Sequence, residues 1–433
     1  MAESFKKKFA QFSALQWTLW SAYCTFGGFI AFYLTENGYS NTGIGLAFSA
    51  LTFTGVLGQL FWGYICDWKR TTKWVFIICT LAMILVVLPF PLFDTLPLVI
   101  MGFGLFGFVW NTLPPVLDSW VLQSSEKMSK NYGITRAAGS VGFAIVASFF
   151  GTMIETFGWN VMFTGFAVLA GTTVLLALFT EDSYARVEFI DGSGVEDGYG
   201  FDSEEEAEIA REELKGEGEG EERPHPLTLF QNFDYVFLII VSFILFLPFH
   251  VVMRFMPVII KSVGGTPADQ GLTMFVTAIS EVPLLLASKY LLERYRPKPL
   301  LIVATTFYTL RIALLILAGT PQFVIAVGAL QSLSFGVFLP TTRHYINDLA
   351  PKGLKTTAQT IAGGIYFGVG GILAGVLGGM ILDRFGVRPT LIAGVCLSSL
   401  AVLLLVLKLL REANVQTGSL SKKLASLLLV DEG

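Results

Sequence analysis

The chain has 433 residues, 53% of them hydrophobic and 14% charged, with a mean hydropathy of +0.65. That balance excludes a soluble globular domain of this length and places the chain in a lipid bilayer. No nucleic-acid partner is expected, and the 4 cysteines (Cys24, Cys66, Cys79, Cys396) fall in or beside apolar runs without a Cys-x-x-Cys pair, so they read as small buried hydrophobes and not as a disulfide framework or a metal site.

Lys6, Lys7 and Lys8 precede the first apolar run, and no small-residue cleavage site follows it, so the run is expected to be retained as a helix. Twelve runs of spanning length begin near Leu15, Gly43, Trp74, Leu98, Ile134, Val161, Tyr235, Gly271, Leu300, Phe323, Thr357 and Thr390. About 18 to 25 apolar residues cross roughly 30 Å of hydrocarbon as a helix. None of the runs shows the period-two alternation of a barrel strand. Basic residues gather in alternate loops: Lys69, Arg70 and Lys73; Lys127 and Lys130; Arg294, Arg296 and Lys298; Lys352 and Lys355. Apart from Lys261, Arg384 and Arg388, the other loops lack them, so both termini are expected in the cytoplasm of a multi-pass plasma-membrane protein.

Between the sixth and seventh runs, residues 181–223 hold 17 Asp or Glu against 4 Lys or Arg. This reads as a solvated, glycine-rich spacer with a short helix around 204–215. Without it, 25 basic residues face 16 acidic ones, and the membrane portion carries a charge near +9. The predicted organisation is an N-terminal six-helix bundle over 1–180, an acidic cytoplasmic linker over 181–232, a C-terminal six-helix bundle over 233–412 and a cytoplasmic tail over 413–433. The halves echo each other: "GYICDWKR" (63–70) aligns with "KYLLERYR" (289–296) at an offset of 226, and "GTMIETFG" (151–158) with "GMILDRFG" (379–386) at 228. Two matches at nearly one offset indicate an internal duplication. The fold class is therefore all-α, twelve transmembrane helices in two parallel six-helix repeats.

Ionisable residues inside the runs are the candidate functional groups, because a charge at the centre of a membrane helix costs on the order of 2.5 to 3.5 kcal/mol unless it meets a partner or a wet cavity. Asp118 ends the fourth run and Arg136 begins the fifth, joined by a short loop, so the two can pair and present a planar fork to vicinal hydroxyls. Phe143, two helical turns on, offers a ring to a sugar or base. A structural ion pair pinning the two spans is the competing reading. Glu281 and Arg311 invite the same analysis. In "LFLPFHVVMRF", His250 titrates near physiological pH, while Arg254 either faces the interior or snorkels outward. Glu281 and His250 are the proton-coupling candidates. Gly364, Gly368, Gly371, Gly375 and Gly379 form a stripe in the eleventh run that suits close helix packing.

On these motifs the chain resembles the major facilitator superfamily over nearly its whole length. "G-x-x-x-D-x-x-R" at Gly63, Asp67 and Arg70 is similar to the signature between that superfamily's second and third helices, lacking its usual glycine after the first basic residue; with Glu293 these residues are expected to gate the halves. "YGITRAAGSVGF", preceded by Asp118, resembles the lactose permease and nucleoside–proton symporter branch, which implies substrate binding by Asp118, Arg136, Phe143, Glu281 and Arg311. Where lactose permease carries a His and a Glu on its tenth helix, this chain has Gln331 and Ser334, and its seventh helix carries His250 and Arg254 instead of paired carboxylates.

No P-loop, no H-E-x-x-H and only 3 histidines argue against an enzyme. His344 and Asp348 form an i, i+4 pair of structural kind. The expected activity is secondary active transport, by alternating access, of a small hydroxylated solute such as a sugar or oligosaccharide, by proton symport, with H+ as the coupling ion, no other cofactor or metal, and a monomer sufficing. A nucleoside or aromatic-acid transporter, or a membrane sensor that does not transport, are the alternatives.

Overall fold

In the computed structural model, residues 2–182, 225–351 and 354–416 are described. The expected short helix at 204–215, the tail from 417 onward and most of the linker lie outside them. The described residues contain helices and no strands. Twelve segments run the length of the bundle: α1 (Ala2–Gly27, continued by Ile30–Glu36), α2 (Asn41–Lys69), α3 (Lys73–Leu92), α4 (Leu96–Ser124), α5 (Tyr132–Phe157) and α6 (Asn160–Leu178), then α7 (Phe233–Ser262), α8 (Pro267–Arg294), α9 (Pro297–Ile316), α10 (Pro321–Leu349), α11 (Lys355–Phe385) and α12 (Val387–Glu412). Ten are apolar enough to span on composition alone. α1 and α8 are long enough but more polar, because they carry Lys6 to Lys8 and Gln16, and Asp269, Glu281 and Glu293. α1 is also the more enclosed of the two, with Leu15, Leu19, Ala22 and Cys24 fully buried.

Helix starts are set by local chemistry. Ser40 Oγ accepts from Gly43 N at 3.1 Å to cap α2. Asn232 caps α7, and Thr266 with Asp269 forms a reciprocal capping box at α8, followed by Pro267 at the first helical position. Breaks follow from proline. In α4, Pro114 and Pro115 lack the N–H groups that would reach Trp110 and Asn111, and the helix loosens at Asn111 and Thr112; Gln59 Nε2 takes up the Asn111 carbonyl at 2.8 Å. In α7, with Pro248 and Pro257 inside it, Phe255 leaves the helical region (φ −102, ψ 16) just beyond Arg254. Two π-turns, Ser332–Gly336 in α10 and Gly364–Val369 in α11, widen those helices.

Each half has its own aromatic core. Phe26, Phe90, Phe103, Phe106 and Phe166 fill the first, and Tyr235, Phe246, Tyr308, Phe338 and Tyr366 the second. The outer surface is apolar in turn: Leu85 is 73% and Val168 67% exposed, as lipid-facing side chains should be.

The halves meet along two seams, α2 against α11 and α5 against α8. On the first, a Cβ on Gly45 would sit 1.9 Å from the Gly375 carbonyl oxygen, and one on Gly379 would sit 2.3 Å from that of Asn41. On the second, a Cβ on Gly271 would meet the Ala147 oxygen at 2.3 Å, and one on Gly151 that of Pro267 at 2.1 Å. Backbones touch, so only glycine fits. A carboxylate then caps the helix opposite: Asp383 accepts from Asn41 N at 2.9 Å and Thr42 N at 2.8 Å, and Glu155 accepts from Ala268 N at 2.8 Å. These residues correspond under the repeat offsets read from the sequence. So do the left-handed glycines: Gly158 and Gly386 have φ +82 and +80, and Gly38 and Gly264 have +80 and +77. Both seams close the end of the bundle opposite the linker.

At the linker end, Arg70 caps α2 with φ 50, a left-handed conformation in which glycine is favoured. The glycine missing from the signature thus has a backbone counterpart. Arg70→Gly is expected to raise stability by about 1 kcal/mol, whereas Arg70→Ala gains nothing; thermal unfolding in detergent compares the two. Asp383→Ala should weaken the α2–α11 seam by about 1 to 2 kcal/mol, shifting the closed population about 5- to 30-fold. On a cysteine-free background, maleimide labelling of Ser49→Cys would rise accordingly, and unchanged labelling would count against the cap.

Candidate functional site

One face of α1 organises the interior of the first half. Gln16, Trp20 and Tyr23 recur at i, i+4 and i+7, and glycines on α5 let that helix approach them: a Cβ on Gly139 would strike Trp20 at 2.5 Å. Gln16 Nε2 donates to Asp118 Oδ1 at 2.9 Å, and Gln16 Oε1 accepts from Trp20 Nε1 at 3.2 Å. The Arg136 guanidinium lies over the Trp20 ring at 4.4 Å. Tyr132, the first residue of α5, has its hydroxyl beside Asp118 with Arg136 near by. Trp20 in turn meets Trp110 edge-on at 5.6 Å, and Trp110 stacks flat on Tyr23 at 4.1 Å and 6°.

The direct Asp118–Arg136 bond expected from the sequence is not formed. Gln16 occupies the carboxylate and Trp20 the guanidinium, so the two charges share a cluster without touching. Phe143 is half-buried and packs on the first half's core; the ring that meets Arg136 is Trp20. Gln16, Trp20 and Tyr23 escaped the sequence reading, although an amide and two polar-edged aromatics on one face of an apolar helix were a signal for them.

In the second half, Arg254 points inward and does not snorkel. Its Nη1 donates to the Gly371 carbonyl and its Nη2 to Thr52 Oγ1 at 2.8 Å, so it joins α7 to α11 and to α2 of the other half. The glycine stripe makes the space: a Cβ on Gly371 would stand 3.0 Å from Arg254 Nη2, and one on Gly375 2.8 Å from Nη1. Gly364 and Gly368 have open space around them. His250 lies one turn before Arg254, with Nε2 3.3 Å from the Tyr366 carbonyl oxygen in the α11 π-turn. Phe246, Phe249 and Phe367 pack around it, and Phe335 stacks on Phe249 behind them.

Glu281 and Arg311 converge beside an amide. Arg311, 1% exposed, donates from Nη1 to Gln331 Oε1, and Glu281 lies close enough to both side chains for each to act on it. Gln331 thus stands with the two ionisable groups. Gly63, Asp67 and Arg70 lie toward the linker end of α2 and Glu293 at that of α8. His344 Nδ1 and Asp348 Oδ1 stand 3.6 Å apart on an exposed face, as the i, i+4 reading required. No group of three or more potential metal ligands occurs among the described residues.

Two pseudo-symmetric bundles around an interior of buried charges and stacked rings are the architecture of a solute carrier. The family model described as "MFS_1 like family" matches residues 10–393. The chain belongs to this family. It is a multi-pass transporter of the major facilitator superfamily and not an enzyme. Among curated relatives, the maltose permease of Geobacillus stearothermophilus is 23% identical over 386 residues, covering 88% of this chain and 90% of that one. The uncharacterized transporter YwbF of Bacillus subtilis (strain 168) is 23% identical over 358 residues, 82% of each. Among solved structures, the nucleoside transporter NupG superposes with a TM-score of 0.71 at 17% identity, covering 92% of this chain and 97% of that one. The inward-open xylose transporter XylE from E. coli gives a TM-score of 0.65 at 14% identity, covering 91% and 93%. At these identities the structural likeness establishes the fold.

Replacing Gln331 by Leu would strand buried Arg311 and Glu281 without the amide beside them. A loss of about 3 to 5 kcal/mol is expected, seen as a large drop in folded protein recovered in detergent, whereas Gln331→Asn should be milder. Trp20→Leu should leave folding intact and weaken solute binding by about tenfold, read as a rise in KM with kcat retained.

Proposed function

We propose that this transporter moves a small hydroxylated solute, a sugar or oligosaccharide, by alternating access and proton symport across the plasma membrane, as a monomer with both termini cytoplasmic. The observation that carries the reading is the Gln16–Trp20–Asp118–Arg136 cluster. A carboxylate acceptor, an amide, a guanidinium and a stacked aromatic wall are together the chemistry that binds hydroxyls on one side and the apolar face of a ring on the other. A maltose permease among the relatives accords with it. Both seams close the end away from the linker, so the solute exchanges with the linker side in this conformation; the alternate basic loops make that side the cytoplasm.

Proton coupling rests on Glu281, on which Gln331 and Arg311 both act. A conformational step that moves Gln331 leaves the carboxylate to choose between Arg311 and a proton. His250 is the second candidate carrier. A nucleoside is the second solute reading, because the flat Tyr23–Trp110 stack suits a planar base as well as a sugar.

The test is substrate-dependent proton movement. Sugars and nucleosides added to de-energised cells expressing the protein should alkalinise the medium with one class, and Arg136→Ala should abolish the effect. Glu281→Gln should lose pH-driven accumulation while keeping solute exchange. Solute uptake without a pH change would reject proton symport, and absence of any flux would reject transport by this chain.

A further inference from the structure

Resting on that reading of the cavity, we infer that the transported solute carries a single carboxylate, and that Arg254 is the residue that receives it. The charges of the interior do not balance within the protein. Asp118 stands in the cluster that holds Arg136, and Glu281 faces Arg311, whose Nη1 is held by Gln331. Arg254 is left over. Its guanidinium contacts are the Gly371 carbonyl, the Thr52 hydroxyl and, over 5.7 Å, the Phe48 ring, with the Tyr23 hydroxyl acting on it electrostatically; all are uncharged. No ion pair between Arg254 and a carboxylate occurs among the described residues, and the basic ring of His250 is its neighbour one turn away.

A guanidinium inside a membrane protein without a counter-charge is costly, and it belongs where an anion completes it. Arg254 has the means to do so. Of its five N–H donors, one on each Nη is spent on Gly371 and Thr52, which leaves the second hydrogens and Nε–H, arranged in the planar fork that fits a carboxylate. Its site lies in the α2, α7 and α11 contact region, on the inner side of the seam that closes the end away from the linker, with Tyr23 of the Tyr23–Trp110 stack acting on it. A solute whose ring lies on that stack and whose hydroxyls reach Asp118 and Gln16 therefore directs its remaining end to Arg254. The approach is also cationic: Arg343, on the linker-side turns of α10, acts on Tyr132 of the first half and Tyr366 of the second. Such a path concentrates anions. One unmatched positive charge selects a monoanion, so a carboxylate fits better than a phosphate monoester with nearly two charges.

Because Arg254 also bonds Thr52 across the halves, an anion that draws on the guanidinium alters the tie between α7 and α2. Solute occupancy and the closure of that seam are thereby linked at one side chain.

The experiment uses matched pairs differing in charge alone: glucuronate against glucose, gluconate against sorbitol, benzoate against benzyl alcohol, with glucose 6-phosphate as the phosphate arm. Purified full-length protein is assayed by thermal shift, and reconstituted protein by counterflow. The expected result is that at least one carboxylate binds about 10- to 100-fold tighter than its neutral partner, that Arg254→Gln erases the difference, and that Arg254→Lys keeps part of it. Thr52→Val, which leaves the charge in place, should retain the preference and so controls for a folding defect. Equal binding of every pair, or an undiminished preference in Arg254→Gln, would overturn the inference, as would a preference for the phosphate over all carboxylates. If neutral sugars exchange equally in wild type and Arg254→Gln, the carboxylate assignment fails and the transporter reading stands; if ligands bind but none crosses the vesicle membrane, it is the transport reading that fails.

Discussion

Backbone-to-backbone contact between the two halves is the constraint on which the rest depends. Where α2 meets α11 and α5 meets α8, helices approach so closely that a single methyl group at Gly45, Gly151, Gly271 or Gly379 would collide with a carbonyl oxygen. Lipid offers no hydrophobic drive for helix association, so packing and polar closure must supply it. They do so twice over by the same means: each half donates a carboxylate, Glu155 or Asp383, to the exposed N–H groups of a helix in the other. An anion at a helix N-terminus is favourable wherever water is scarce. The duplication written in the sequence is therefore also a contact rule, in which each repeat recognises the other's helix start.

Inside that frame, charge is tolerated by delegation. Asp118 is satisfied by Gln16, Arg136 by the face of Trp20, and Arg311 by Gln331, so neutral amides and rings stand between opposite charges. Direct burial of an ion pair gains little once desolvation is counted, and locks the partners together. An intervening amide leaves each charge available to a solute or a proton. Polarity in this interior serves exchange more than stability.

Much of this could be read from the residues. Span number, the two repeats and the placement of Asp118, Arg136, Glu281 and Arg311 inside the spans follow from hydropathy, charge and spacing. The first helix was the weak point. Gln16 and Trp20 lie about a hundred residues from the acid and arginine they serve, and no local pattern announces a partner at that distance. Arg254 was undecided for a similar reason: a lone arginine one turn from its helix-mate His250 snorkels or turns inward according to what stands opposite, and here Gly371 and Gly375 open the room that draws it in. Gln331, noticed only as a substitution for an expected histidine, emerges as the partner of Arg311.

The π-turns in α10 and α11 bear on how such a chain can change over time. Each amounts to one residue more than an α-helix of the same height needs, so the part of the helix beyond it is turned by about 100° relative to a regular helix. In α10 the extra residue falls between Gln331, which faces Arg311, and the His344–Asp348 surface; in α11 it falls between the linker-side segment and the glycines that meet α2. Losing a single codon in either stretch would regularise the helix and rotate one set of contacts away from the other. The two helices therefore hold in their residue count a register between their two ends that no point substitution would reset.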